Sequence, residues 1–151
     1  MDNFVVKKLL SRFESYFREH VLGEDVALTM RVPNPTVEET EAKILLESLE
    51  GIPRSYDASS LFYGRDVAPI YEVILPMTSS HRCIDRVFQY YKNFIVDRQH
   101  LRFKDNDITV MEWIGHFRPS QVRVTPLVEN LESQLNVHNI IETYLSDKDL
   151  T

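Results

Sequence analysis

Ile70-Tyr71-Glu72-Val73-Ile74-Leu75-Pro76-Met77 runs directly into Thr78-Ser79-Ser80, and a helical pattern begins at His81. An apolar run with β-branched content that ends in small hydroxyl residues and passes into a helix reads as a buried strand followed by its crossover helix. The same sequence of events occurs twice more. Val26-Ala27-Leu28-Thr29-Met30-Arg31-Val32 is followed by Pro33-Asn34-Pro35-Thr36, and Val122 to Val128 is followed by Glu129-Asn130. Strand starts recur about 45 residues apart, which predicts parallel pairing through helical crossovers. In such architectures ligands and chemistry gather at the carboxyl ends of the strands.

Working outward, Val5, Val6, Leu9, Leu10, Phe13, Phe17 and Val21 recur at three and four, predicting one helix from Asn3 to His20 with Gly23 as its stop. Thr36 and Glu39 form a capping-box pattern for a second helix over about Val37 to Glu50, facing inward through Ile44, Leu45 and Leu49 and ending at Gly51. Ile52 to Pro69 lacks both periods and reads as a long loop carrying Arg54 and Arg65. A third helix is expected from His81 to Asp97, burying Ile84, Val87, Phe88, Tyr91, Phe94 and Ile95. Lys104 to Asp107 reads as a turn in a small hairpin, Thr109 and Glu112 as a capped helix, and Asn136 as the cap of a closing helix to Leu145. The polar tail Ser146 to Thr151 reads as a frayed end.

The 151 residues amount to one α/β domain, 1–151, of about three parallel strand-helix units. A closed β/α barrel takes eight strands and about 250 residues, so the sheet is either open or incomplete as a barrel. A net charge of −6 without a long basic run argues against nucleic-acid binding. Cys83 is the one cysteine, which rules out an internal disulfide and a multi-cysteine zinc site and fits a reducing compartment. No run approaches the roughly 20 apolar residues of a membrane span. The first residues lack the pattern of a signal peptide, and the expected location is the cytoplasm.

Several positions could carry chemistry. Arg31, near the end of the first strand, suits a two-bond clamp on a carboxylate or phosphate, or equally a structural ion pair. Thr78, Ser79 and Ser80 could form an anion site at a helix N-terminus or simply cap that helix. Glu129 could serve a hard cation such as Mg²⁺ or interact with the dipole of the helix it begins. Arg54 and Arg65 could sit on an active-site rim or be solvated. His20, His81, His100, His116 and His138 show no metal-ligand spacing, and no phosphate loop or dinucleotide fingerprint is present.

Longer strings add a resemblance. Asp2 to Leu10, Leu28-Thr29-Met30-Arg31-Val32-Pro33-Asn34-Pro35-Thr36-Val37-Glu38, Ile52 to Asp57 and Glu72 to Ser80 are similar to the archaeal-type phosphoenolpyruvate carboxylases. Trp113-Ile114-Gly115, Phe117-Arg118-Pro119 and Pro126-Leu127-Val128-Glu129 fit the same family. The resemblance implies a partial TIM-type (β/α) barrel from the N-terminal half of a several-fold longer enzyme. It implies a lyase that joins bicarbonate to phosphoenolpyruvate with the help of Mg²⁺, giving oxaloacetate and phosphate. In that picture bicarbonate attacks phosphorus, and the carbon dioxide released from carboxyphosphate meets the pyruvate enolate in a dry site.

Carried over by position, Glu129 becomes one of two carboxylate ligands to Mg²⁺, Arg31 a substrate-side catalytic arginine, and Thr78 with Ser79 part of the substrate-binding mouth. Val128 and Asn130 depart from the Phe and Asp expected around that Glu. The family's His-Pro-Asp-Asn segment would precede Met1, and its second metal carboxylate and catalytic loops would follow Thr151. The expectation is therefore a truncated or split piece, inactive alone and working as a homo-oligomer or with a complementing chain. The alternatives are a non-catalytic interaction or assembly module and a small anion-binding domain.

Overall fold

The computed structural model describes residues 5–128 and 131–148. In chain order these are α1 (Val5–Arg12), α2 (Glu14–Glu19), β1 (Met30–Arg31), a 3-10 turn (Glu39–Glu41), α3 (Ala42–Tyr63), β2 (Glu72–Leu75) and α4 (His81–Gln89). A π-helical segment (Tyr90–Val96) and a 3-10 turn (Asp97–His100) prolong α4, followed by α5 (Val110–Ile114), β3 (Arg123–Pro126) and α6 (Leu131–Lys148). The strands form one parallel sheet in the order β1-β2-β3. Met30 pairs with Val73 and Val73 with Val124, while Arg31, Ile74 and Thr125 form the next row. The α/β class and parallel pairing expected from the three strand-helix repeats are what the chain adopts. Among the described residues the sheet is open, not closed.

Alternation along the strands divides the sheet into two unlike faces. Met30, Val32, Val73, Leu75, Val122 and Val124 are buried in one core with Leu45, Leu49 and Ile52 of α3, Ile84, Val87 and Phe88 of α4, and Ile140 and Tyr144 of α6. Arg31, Glu72, Ile74, Arg123 and Thr125 point the other way and are half-buried or exposed. Across that second face Arg123 Nη1 lies 3.6 Å from Glu72 Oε2. Parallel sheets are ordinarily covered on both faces, and among the described residues helices cover one.

The largest departure from the sequence expectation is α3. Gly51 does not stop it, and the long loop expected over 52–69 is instead mostly helix as far as Tyr63, with Pro53 inside. Pro53 has no N–H for the carbonyl one turn back, a defect worth about 3 kcal/mol in an isolated helix. Burial offsets it. Leu45, Ser48, Leu49, Gly51, Ile52, Pro53, Ser55 and Ser59 make one continuous buried stripe, and the small residues allow α1 close approach. The true stop is Gly64, in the left-handed conformation at φ 69° with its N–H donating to the Ser60 carbonyl.

Other elements shift for local reasons. The helix expected from Asn3 to His20 breaks at Phe13, whose φ of −125° and ψ of 42° separate α1 from α2. Gly23 is not a helix stop; at φ 109° it turns the chain toward β1, and an added Cβ would meet the Ala68 carbonyl oxygen. The first strand is shorter than 26–32, with regular pairing only at Met30–Arg31. The Thr36–Glu39 capping box does not form: α3 starts at Ala42 after the 3-10 turn, and neither carries a side-chain cap. Phe94 is 63% exposed because the π-helical turn rotates it off the buried face. Asn136 lies inside α6, so the closing helix begins before it rather than at it. The capping box of Thr109 and Glu112 on α5 is present as expected. A lone antiparallel bridge between Arg102 and Thr109 closes the small hairpin. No helix among the described residues is long and apolar enough to cross a membrane.

Candidate functional site

Because the strands are parallel and in register, the three turns that leave them lie along one edge of the sheet. After β1, Val32 N–H still donates to the Ile74 carbonyl (3.0 Å), and Pro33 and Asn34 then turn the chain away. After β2 come Pro76, Met77 and Thr78; after β3, Leu127 N–H donates to the Leu75 carbonyl (2.9 Å). Hydrogen bonds between turns join the three. Thr78 N–H donates to the Leu127 carbonyl (3.0 Å), and the Asn34 carboxamide donates to the carbonyls of Pro76 (3.0 Å) and Met77 (3.2 Å).

Arg31 stands at this edge on the uncovered face, exposed between the buried Met30 and Val32. It lines a cleft of about 270 Å³ with Val32, Pro33, Glu38, Ile44 and Ser48. The Ile44 side chain, expected to face the core, faces this cleft instead. Among the described residues Arg31 has no hydrogen bond or ion pair, so the structural ion pair weighed from the sequence is absent there.

Thr78 is 0% exposed, and its hydroxyl donates to the Leu75 carbonyl (2.8 Å), closing the turn on its own strand. Ser79 is exposed at the mouth. Ser80 occupies the N-cap of α4 in an extended conformation, but its side chain caps no N–H of the helix. Its hydroxyl lies 3.6 Å from Cys83 Sγ. The Thr78 hydroxyl is spent on its own strand and the Ser80 side chain caps no N–H of α4, so simple capping by either does not account for this triplet. Glu129 and Asn130 lie outside the described residues.

The rim arginines expected from the sequence belong elsewhere. Since α3 carries the chain from the carboxyl end of β1 back toward the start of β2, Arg65 and Asp66 lie toward the amino ends of the strands. There Arg65 grips Glu24 with two hydrogen bonds, of 2.5 and 2.9 Å, and Arg118 binds Asp66 at 2.9 Å. Arg54 is on α3, beside a cavity of about 460 Å³ shared with Lys7, Ser11, Asp57 and Phe62 on the α1 side. Burial raises the Asp57 carboxyl there, with Arg118 opposing the shift.

The Arg65 hydrogen bond, reinforced by its charge, holds the Glu24 carboxyl below its ordinary value of 4.5. A lowered folded-state value stabilises the fold above the unfolded value and stops doing so as pH falls through the folded one. Arg65→Met is accordingly expected to melt below the parent at neutral pH. The gap should close as the pH drops beneath about 4.5, and melting temperature against pH checks this; a gap independent of pH would remove the pair as its cause.

Among the described residues no three His, Cys, Asp or Glu side chains converge as a metal site. Asn34 and Met77, which bind the turns together, were not singled out from the sequence. The signal that could have found Asn34 is its place in Pro33-Asn34-Pro35-Thr36, where an Asx turn is natural. Its Oδ1 does accept from Thr36 N–H at 3.1 Å.

A family model described as phosphoenolpyruvate carboxylase matches residues 1–151. The chain belongs to the phosphoenolpyruvate carboxylase family. The family resemblance of the sequence strings is thereby borne out. Curated relatives named phosphoenolpyruvate carboxylase include that of Methanothermobacter thermautotrophicus, 57% identical over 150 residues, and that of Pyrococcus furiosus, 49% identical over 148. That of Halobacterium salinarum is 45% identical over 152. The alignments cover 98–99% of this chain and 31% of each of these carboxylases, so the chain spans about a third of their length.

Proposed function

We propose that this chain is one section of a phosphoenolpyruvate carboxylase, and that its strand-end turns form part of the site that joins bicarbonate to phosphoenolpyruvate. The observation that carries the reading is the family match along all of 1–151. The uncovered, charged face of the sheet and its open edges support residues 1–151 as a single partial (β/α) TIM-type barrel domain. The remaining strands would come from the additional length present in the relatives, on the same chain or on a complementing one, in a homo-oligomer located in the cytoplasm.

In this reading the Arg31 guanidinium takes a carboxylate or phosphate of the substrate through two parallel N–H bonds. Ser79, at the mouth before α4, faces the same anion. Thr78 contributes through the turn it closes rather than through a free hydroxyl. By its match to the family string Pro126-Leu127-Val128-Glu129, Glu129 would be the contribution of this chain to Mg²⁺ binding, with the other ligands supplied by the rest of the enzyme.

The test is a chimera in which this chain replaces the matching 150 residues of the Methanothermobacter thermautotrophicus carboxylase. Oxaloacetate formed from phosphoenolpyruvate, bicarbonate and Mg²⁺ supports the reading. A folded chimera that makes none, beside an active parent, refutes it. The second reading, an assembly module without catalysis, is favoured by the groove of about 490 Å³ along β3, lined by Tyr71, Phe88, Ile141, Tyr144 and Leu145.

A further inference from the structure

We propose that Asn34 is a positioning residue of this site: its buried carboxamide latches the turn after β1 to the turn after β2 and holds Met77 in the left-handed conformation that places Thr78 and Ser79 on the same rim as Arg31. The proposal rests on the carboxylase reading for its catalytic consequence and on geometry for the latch itself. Asn34 is 1% exposed, yet its side chain is satisfied on both ends. Nδ2 uses its two hydrogens on the carbonyls of Pro76 and Met77, and Oδ1 accepts from Thr36 N–H. The backbone of Asn34 is fixed as well, its N–H donating to Glu38 Oε1 at 3.3 Å and its carbonyl accepting from Val37 and Glu38.

Met77 is the strained partner. Its φ of +51° is a conformation that residues with a Cβ avoid. Among the described residues the other non-glycine with positive φ is Asn106, a type that tolerates it. A left-handed methionine persists when its surroundings over-determine it. Asn34 grips the peptides on both sides of the Met77 α-carbon from the β1 side, and Thr78, one residue on, is pinned to β3 through Leu127. Two carbonyls require two donors. Aspartate offers none when ionised, serine offers one, and alanine removes both, leaving the buried Pro76 carbonyl and the half-buried Met77 carbonyl without the Asn34 bonds.

Four versions of the chimera decide the matter: parent, Asn34→Ala, Met77→Gly and the double variant. Displacing catalytic groups through a supporting residue is expected to cost about 10²-fold in kcat/KM for Asn34→Ala. Glycine adopts positive φ without strain, so the double variant should recover to within about tenfold of the parent. A residue that merely fills space would not be rescued by glycine 43 positions away. Unchanged kcat/KM in Asn34→Ala, or a loss that Met77→Gly leaves untouched, would overturn the proposal. If Asn34→Ala does not fold, the double variant decides: recovery of fold and activity supports the latch, and failure to recover removes it. A parent chimera that folds without activity defeats the carboxylase reading separately. Melting temperatures then judge the latch, non-additive shifts supporting it and additive shifts overturning it.

Discussion

Arg31→Ala in the chimera lowers kcat/KM for phosphoenolpyruvate by about 10²–10³-fold, with little change in melting temperature. The size follows from the proposed role, the removal of a pre-positioned charged donor from a site that would bind and redistribute negative charge. The insensitivity of stability follows from the exposed position of the side chain and the absence of an ion pair or hydrogen bond to it among the described residues. Arg31→Lys should recover only a part, since an ammonium keeps the charge but not the planar fork that meets two oxygens at once. Steady-state assays varying phosphoenolpyruvate, alongside thermal melts of each variant, measure both halves. A chimera that keeps its activity within about threefold in Arg31→Ala would take Arg31 out of the site.

Leu49→Ala destabilises the fold by about 3 kcal/mol, whereas Leu61→Ala changes it by about 0.5 kcal/mol or less. Leu49 is 0% exposed at the centre of the α3 stripe, where α3 meets the sheet; Leu61, twelve residues later on the same helix, is 86% exposed. A net stability of about 5–15 kcal/mol makes the first change a large fraction of the whole. Ile44 tests the distinction most sharply, because its spacing groups it with Leu45 and Leu49 while its side chain lines the Arg31 cleft. Ile44→Ala should cost about 1 kcal/mol or less. Urea unfolding of the three variants reads the series, and equal losses at positions 44 and 49 would contradict the observed orientation of α3.

The strands and their parallel pairing were legible because a buried parallel strand must be apolar on consecutive residues and must be followed by a crossover. Arg31, Ser79 and Glu129 could be nominated for the same reason, as polar residues where apolar runs end. Asn34 and Met77 could not be ranked in this way. Hydrogen bonds that span 42 and 43 residues exist only once β1 and β2 are side by side. Nor does any local rule anticipate a left-handed methionine, since local preference opposes it and tertiary contacts impose it.

Gly51, Pro53 and Gly64 state the division most plainly. Local propensity reads the first two as the end of a helix, and only the third obeys its local signal. The amino-acid order by itself determined the α/β class, the three strand-helix units and the family to which the chain belongs, because these depend on hydrophobic runs and long strings that are visible without contacts. Tertiary structure alone decided that α3 continues through Pro53, that Arg65 pairs with Glu24 away from the carboxyl ends of the strands, and that Asn34 joins the turns. Each depends on burial or on a partner distant in sequence, and burial outweighs local preference when several apolar side chains share one stripe.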